Sequence, residues 1–284
     1  MKHFLLPFLA GIVIACTPSK SDAQQQAKET IQKEFAAPRS GVVAVYNIHG
    51  PVKVEGYNGD KVVIEVHKII SAKETSVLEE GKKELQVRFS EEGDSLVAYI
   101  AEPFDSRPNR SKNRNIHIDY SFELEYHLKV PARLNVVAHT VNKGDIEVSD
   151  VSGNLSLINV NGNIKVLHAR GLSNFRTING DVTADYPGLP PENSSYYTLN
   201  GNIRISYPAD LSADVRFKSF QGDFFTDFPE TEVLPAQAEK NQDRKGDKTV
   251  YRLSKNSSIR IGKGGRGLRF ETFNGNVYLK KQTL

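Results

Sequence analysis

From Gly41 almost to the end of the chain, apolar and polar residues alternate in short runs bounded by Gly, Asn, Asp and Pro. A period of two places successive side chains on opposite faces of a strand, so the pattern predicts β-structure. Residues 42–46, 51–55 and 61–70 are β-branched runs of this kind. Residues 84–89 and 95–100 flank a turn-forming stretch at 90–94 and predict a hairpin with a longer loop. Over 115–130 the alternation is strict, with Ile116, Ile118, Tyr120, Phe122, Leu124, Tyr126, Leu128 and Val130 on one face. No amphipathic helix is expected after residue 40. Before it, residues 24–40 form a stalk or a short helix, because Ala27, Ile31 and Phe35 make a weak apolar stripe that Pro38 ends. Two stretches lack periodicity and are expected to be loops, 103–114 and 230–248.

The second pattern is a repeat. Gly144, Gly153, Gly162, Gly171 and Gly180 are nine residues apart. A Gly-Asp/Asn-apolar signature recurs at Gly144, Gly162, Gly180, Gly201, Gly222 and Gly275, with spacings of 18 to 21 residues before the 230–248 loop intervenes. Aligned on these glycines, further columns are apolar. Two residues earlier stand Val160, Ile178, Leu199, Phe220 and Phe273; five earlier stand Leu157, Phe175, Tyr196, Phe217 and Phe270. Two residues later come Ile146, Ile164, Val182, Ile203, Phe224 and Val277. A small polar column, Asn159, Thr177, Thr198, Ser219 and Thr272, lies three before the glycine.

A unit of this size cannot bury its apolar face alone, but stacked units can. The expected fold is therefore all-β, a β-solenoid of 18–21-residue coils over 131–284, preceded by strands at 41–130. Its glycines are expected at corners with positive φ, and its aromatics mostly in core columns. A hairpin meander or an antiparallel β-sandwich is the alternative, since Asn-Gly is also a hairpin signal.

Composition matters chiefly through what is scarce. The 284 residues contain one Cys, one Met and no Trp, and 37 basic residues nearly balance 34 acidic ones. The near balance argues against a dedicated nucleic-acid binder. A single cysteine excludes an internal disulfide and a thiolate zinc site. That cysteine is Cys16, which follows a short basic start and an apolar run over 4–15 that suits an export signal. Val13-Ile14-Ala15-Cys16 resembles the lipobox of bacterial lipoproteins, which implies lipidation of Cys16 and a membrane anchor. The alternative is cleavage after Ala23, giving a soluble periplasmic or secreted protein.

The series from Val130-Pro131 through the Gly-Asp/Asn-Ile-x-Val units to Phe273-Asn274-Gly275-Asn276-Val277 resembles a bacterial exported "putative adhesin" family with repetitive β-structure. The resemblance covers 41–284 and is strongest over 130–228 and 266–281. It implies an envelope location and surface attachment; the family's biochemical function is unassigned.

Candidate chemistry is sparse. Asp145, Asp181 and Asp223 share the position after the glycine, as the carboxylates of a polysaccharide-cleaving β-helix would. Asn163, Asn202 and Asn276 fill the same column, which favours turn capping. The seven histidines show no ligand spacing, and neither a Gly-x-Ser-x-Gly elbow nor a complete phosphate-binding loop is present. Residues 262–267 (GKGGRG) make a basic turn. With the 103–114 loop it supplies candidate contacts to an anionic surface: Arg107, Arg110, Arg114, Lys263 and Arg266. The expected protein is a non-enzymatic, lipid-anchored envelope protein without a cofactor, displaying a β-surface to a protein or glycan partner. The alternatives are a polysaccharide-acting enzyme and a periplasmic accessory protein in envelope-stress signalling.

Overall fold

A computed structural model describes residues 24–38, 41–110, 116–228, 231–234, 238–245, 248–255 and 257–282. The expected export signal with Cys16, and Arg114, lie outside the described residues. The N-terminal part comprises β1 (Gln25–Ala36), β2 (Val42–Tyr46), β3 (Val52–Tyr57), β4 (Lys61–Ala72), α1 (Thr75–Glu84), β5 (Gln86–Glu92), β6 (Ser95–Glu102) and β7 (Ser121–Pro131). The repeats follow as β8 (Asn135–His139), β9 (Ile146–Ser149), β10 (Leu155–Ile158), β11 (Ile164–Leu167), β12 (Ser173–Asn179), β13 (Val182–Asp185), β14 (Ser194–Asn200), β15 (Ile203–Tyr207), β16 (Ala213–Gln221) and β17 (Phe224–Thr226). The chain ends with β18 (Thr231–Leu234), β19 (Ala238–Lys245), β20 (Lys248–Lys255), β21 (Ser257–Ile261), β22 (Arg266–Asn274) and β23 (Val277–Lys281).

The strands form two long sheets that share one apolar core. The first runs β1-β4-β7-β3-β9-β11-β13-β15-β23-β17, and the second runs β18-β21-β16-β22-β14-β12-β10-β8-β2-β6-β5. From β8 to β17 successive strands alternate between the sheets, so each coil gives one strand to each. Neighbouring coils pair in parallel and in register: Ile146, Ile164, Val182, Ile203 and Val277 are successive partners, and all are fully buried. The fold is all-β with long parallel sheets, as the column alignment implied.

At both ends of the stack one coil is inserted out of sequence order. β2 and β3 pair with β8 and β9, while β6 and β7 lie outside them. At the other end, β22 and β23 slot between the β14/β15 coil and the β16/β17 coil. Antiparallel strands finish the stack: β1, β4 and β5 at one end, β21 and β18 at the other.

Several expectations need correction. Residues 25–36 are neither stalk nor helix but the edge strand β1, paired with all of β4. Ala27, Ile31 and Phe35 do pack on the core. A spacing of four keeps residues on one side of a strand as well as of a helix, so the stripe did not separate the two. Buried Lys68 ties this cap together, with Nζ 2.7 Å from the Leu85 carbonyl and 3.2 Å from Glu29 Oε2. A helix does occur after residue 40: α1 buries Leu78 and Gly81. In place of the loop expected over 230–248, residues 231–234 and 238–245 are strands, and β19 pairs with β20 as an antiparallel ribbon.

The repeat glycines also serve a different purpose from the one expected. Gly144, Gly162, Gly180 and Gly201 do not have positive φ; only Gly222 and Gly275 of the series do. Instead, a Cβ on Gly162, Gly180 or Gly201 would lie 2.1–2.3 Å from the carbonyl oxygen of the preceding coil's glycine. Close backbone approach requires these glycines.

Replacing Gly180 by Ala therefore forces two coils apart. The expected loss is about 2–3 kcal/mol of stability. Gly188 has open space around the Cβ position; Ala there should be neutral or stabilise by roughly 0.5 kcal/mol. Urea unfolding of the two variants checks the contrast.

Candidate ligand-binding face

The Asp/Asn column after the repeat glycines is a ladder between coils. Each side-chain oxygen at this position accepts a backbone N–H from the same position one coil on. Asp145 Oδ1 accepts from Asn163 at 2.7 Å, Asn163 Oδ1 from Asp181 at 2.8 Å, and Asp181 Oδ1 from Asn202 at 2.8 Å. Asn202 then accepts from Asn276, and Asn276 from Asp223, both at 2.9 Å. Only an oxygen at this position is needed, which explains why Asp and Asn interchange. A second ladder runs one residue before the glycines. The Asn161 amide donates to Asn142, Asn179 to Asn161, Asn200 to Asn179 and Asn274 to Asn200, at 2.7–2.8 Å. The buried hydroxyls of Thr177 and Thr198 each donate to the preceding glycine carbonyl at 2.8 Å. The column is built for inter-coil bonding.

The basic loops do not come together. Arg107 lies over the Tyr99 ring at 4.0 Å and is bound by Asp105 (2.7 Å) and Glu92 (2.6 Å). This contact holds the Asp105 carboxyl below its ordinary range. Arg107 therefore clamps the β5–β6 end; Arg110 is exposed nearby. Arg266 donates to the Pro190 carbonyl at 2.6 Å, and Lys263 is exposed on the β21–β22 turn. In the turn, Gly262, Gly264 and Gly265 do have positive φ. Six strand spacings separate β6 from β22, roughly 30 Å.

The register instead assembles a face on the outside of β12, β14, β22 and β16. One row across these strands is Asn174, Ser195, Arg269 and Arg216. The next outward row is Arg176, Tyr197, Glu271 and Lys218, with the Arg176 guanidinium 4.3 Å from the Tyr197 ring centre. The third is Ile178, Leu199, Phe273 and Phe220. The last two stack with ring centres 4.7 Å apart and planes at 8°. Phe220 is 71% exposed and Phe273 44%. The face grades from cationic to aromatic over about 13 Å, four residues of strand. Toward β10 and β8 it fades to Ser156, Ile158 and Val137.

This corrects the assignment of the Val160–Phe273 column to the core. Positions two and five before the glycine differ by three, so within one strand they face opposite sides. Leu157, Phe175, Tyr196 and Phe270 point inward and are fully buried; Phe220 and Phe273 point out. The parity of the column was the available signal.

A depression of ≈ 530 Å³ opens at the cationic edge, bounded by Asn193, Ser195, Asp214, Arg216 and Arg269. It exists because Gly267 lies between Asn193 and Asp214 and contributes no side chain. Asp214 is bound by Arg260 at 2.8 Å, which keeps its carboxyl below the ordinary range. Sequence order hid the site, because Arg216 and Arg269 come from distant segments. A second groove, of ≈ 400 Å³, lies on the other sheet beside His67 and His127, whose ring centres are 5.6 Å apart. Each histidine bonds a glutamate two residues away on its own strand, at 2.8 Å. Among the described residues, no group of three or more His, Cys, Asp or Glu is placed to hold a metal ion. No helix there is long and apolar enough to cross a membrane.

The ladder makes a specific prediction at Asp145, whose two oxygens accept from the Asn163 backbone and side chain. Asp145→Asn keeps the bond from the Asn163 backbone and loses the exposed one from its amide, so it should lower the denaturant midpoint slightly, whereas Asp145→Ala loses both and should cost about 1 kcal/mol.

No curated protein shows significant similarity to the chain. A "putative cell adhesion protein" from Clostridium sporogenes is similar at 8% identity with a TM-score of 0.43, covering 89% of this chain and 100% of that one. A "putative adhesin" from Bacteroides fragilis is similar at 9% identity with a TM-score of 0.38, covering 90% and 98%. Residues 127–258 match the family described as Toastrack DUF4097.

Proposed function

We propose that this protein is a non-enzymatic, lipid-anchored component of a bacterial cell envelope that presents the β12-β14-β22-β16 face to a glycan or protein partner. The observation that carries the reading is the grouping of cations and exposed aromatics on the last coils. Exposed stacked phenylalanines are unusual on a soluble surface and mark interaction sites. The catalytic alternative has less support. Asp145 and Asp181 spend their oxygens on the next coil, and the Asp/Asn interchange leaves no recurring acid and base pair.

With Cys16 lipidated, the tether is residues 17–24, since β1 begins at Gln25. Eight residues reach at most about 28 Å. The stack would then be held close to the bilayer at its β1 end. β17 lies nine strand spacings away, about 43 Å. The rigid stack would carry the face away from the anchor.

Two measurements test this. Mass spectrometry of the mature protein should find a diacylated or triacylated Cys16; a protein beginning at Gln24 would remove the anchor. A photo-crosslinking residue at Lys218 should give adducts in intact cells, while the same residue at Lys165, on the outer face of the other sheet, should give few. Equal labelling from both positions would remove the face from the proposal. The triple change of Asp145, Asp181 and Asp223 to Asn should leave those adducts intact. Loss of a glycan-cleaving activity in that folded variant would favour an enzyme instead.

A further inference from the structure

We propose that the depression over Gly267 takes the acidic group of a saccharide, with the sugar chain running along the strands toward Phe273 and Phe220. This deepens the binding-face reading and rests on it. In the outward row Asn193–Gly267–Asp214, the central residue has no side chain, and a Cβ there would meet only Asn193 Oδ1, at 3.6 Å. The floor is therefore backbone, while Arg269 and Arg216 rise beside it from adjacent strands as direct cross-strand partners. Planar guanidinium groups suit a carboxylate, which can accept two parallel N–H bonds from one of them.

Asp214 is paired with Arg260, and Glu271 with both Lys218 (3.0 Å) and Arg269 (3.2 Å). Across the face, Arg176, Arg216, Lys218, Arg260 and Arg269 outnumber Glu192, Asp214, Glu232 and Glu271 by one. The excess is positive, so an anionic ligand is complementary.

The aromatic row favours a sugar over a bare polyanion. Phe273 lies six residues along β22 from Gly267, about 20 Å, a span suited to a short oligosaccharide. A pyranose offers an apolar C–H face and a polar rim. Tyr197 and the exposed Phe220/Phe273 pair can meet the first, while Ser195, Asn193 and the arginines meet the second. A ligand recognised by charge alone would gain nothing from the aromatic row.

Calorimetry on the full-length protein tests the assignment with four probes: a galacturonate hexamer, neutral cellohexaose, polyglutamate of matched charge, and phosphatidylglycerol vesicles. The hexamer should bind, and more weakly as salt rises. Arg216→Ala with Arg269→Ala should weaken it tenfold or more. Gly267→Val keeps every charge and meets open space, so it should fold normally and weaken binding to a similar degree. Phe220→Ala with Phe273→Ala should cost several-fold for the hexamer and nothing for polyglutamate. An unbound hexamer overturns the proposal. So does polyglutamate or the vesicles binding as tightly, or an affinity that Gly267→Val leaves unchanged. Cellohexaose binding that Gly267→Val abolishes would overturn the acidic class while retaining the binding face. Failure of the Lys218 crosslinks as well would remove both.

Discussion

At the corners marked by Gly162, Gly180, Gly201, Gly222 and Gly275, the carbonyl oxygen of a glycine in the adjacent coil occupies the place where a Cβ would stand. The rest of the coil is arranged around that approach. It sets the spacing at which the Asp/Asn oxygens meet the next backbone N–H, and at which the asparagine amides meet one another. It also brings the buried threonine hydroxyls onto the glycine carbonyls. Polar groups at the corners would otherwise be left unpaired beside an apolar core, which costs more than the bonds gain. The corner is thus where backbone sterics and hydrogen-bond satisfaction coincide, and the apolar columns on either side inherit their register from it.

A stack of parallel coils has open ends, and open strand edges invite association. This chain closes them with sequence drawn from outside the repeat. At the N-terminal end, β4 and β1 turn the sheet antiparallel, and charged side chains such as Lys28 and Glu34 face outward along the edge. At the far end, β22 and β23 return beneath the last coil, while β21 and β18 extend one sheet beyond it. The returning strands place residue 269 beside residue 216 and residue 273 beside residue 220. The same topology that closes the stack therefore assembles the face, and no contiguous stretch of sequence contains it.

This explains what could be read in advance. The glycine columns and the residues two after them were legible because stacking repeats the same constraint, and Ile146, Ile164, Val182 and Ile203 report it in turn. The purpose of those glycines was not legible: steric exclusion by a neighbouring coil and positive φ leave the same residue in the sequence. β1 was hidden by an apolar spacing common to helix and strand, and α1 by its short length and weak apolar face. The Phe220 and Phe273 column was legible in principle, since its parity opposes that of Phe217 and Phe270. Arg216 and Arg269 offered no local signal, because their partnership depends on a strand that inserts out of order. Arg107 misled in the opposite sense. A run of basic residues suggested an open surface, yet Asp105 and Glu92 had already claimed that side chain.

The division between inner and outer columns bears on function. Inner positions answer to packing: widening a side chain there strains two neighbouring coils, and truncating it leaves a cavity. Outer positions answer only to strand propensity and solubility, so their chemistry can change from coil to coil without disturbing the stack. In the middle coils the outer residues are unremarkable mixtures such as Ser156, Ile158 and Asn174. On the last coils they become arginines in one row and exposed rings in another, with a glycine between Asn193 and Asp214 where a side chain would fit. Packing gives no reason for the rings to be aromatic when Val160 and Ile178 fill the same column elsewhere. Stability gives no reason for the gap at Gly267, which lacks both a positive φ and a close neighbour. Two departures that the fold does not require, on one face of one sheet, are better explained by something that binds there.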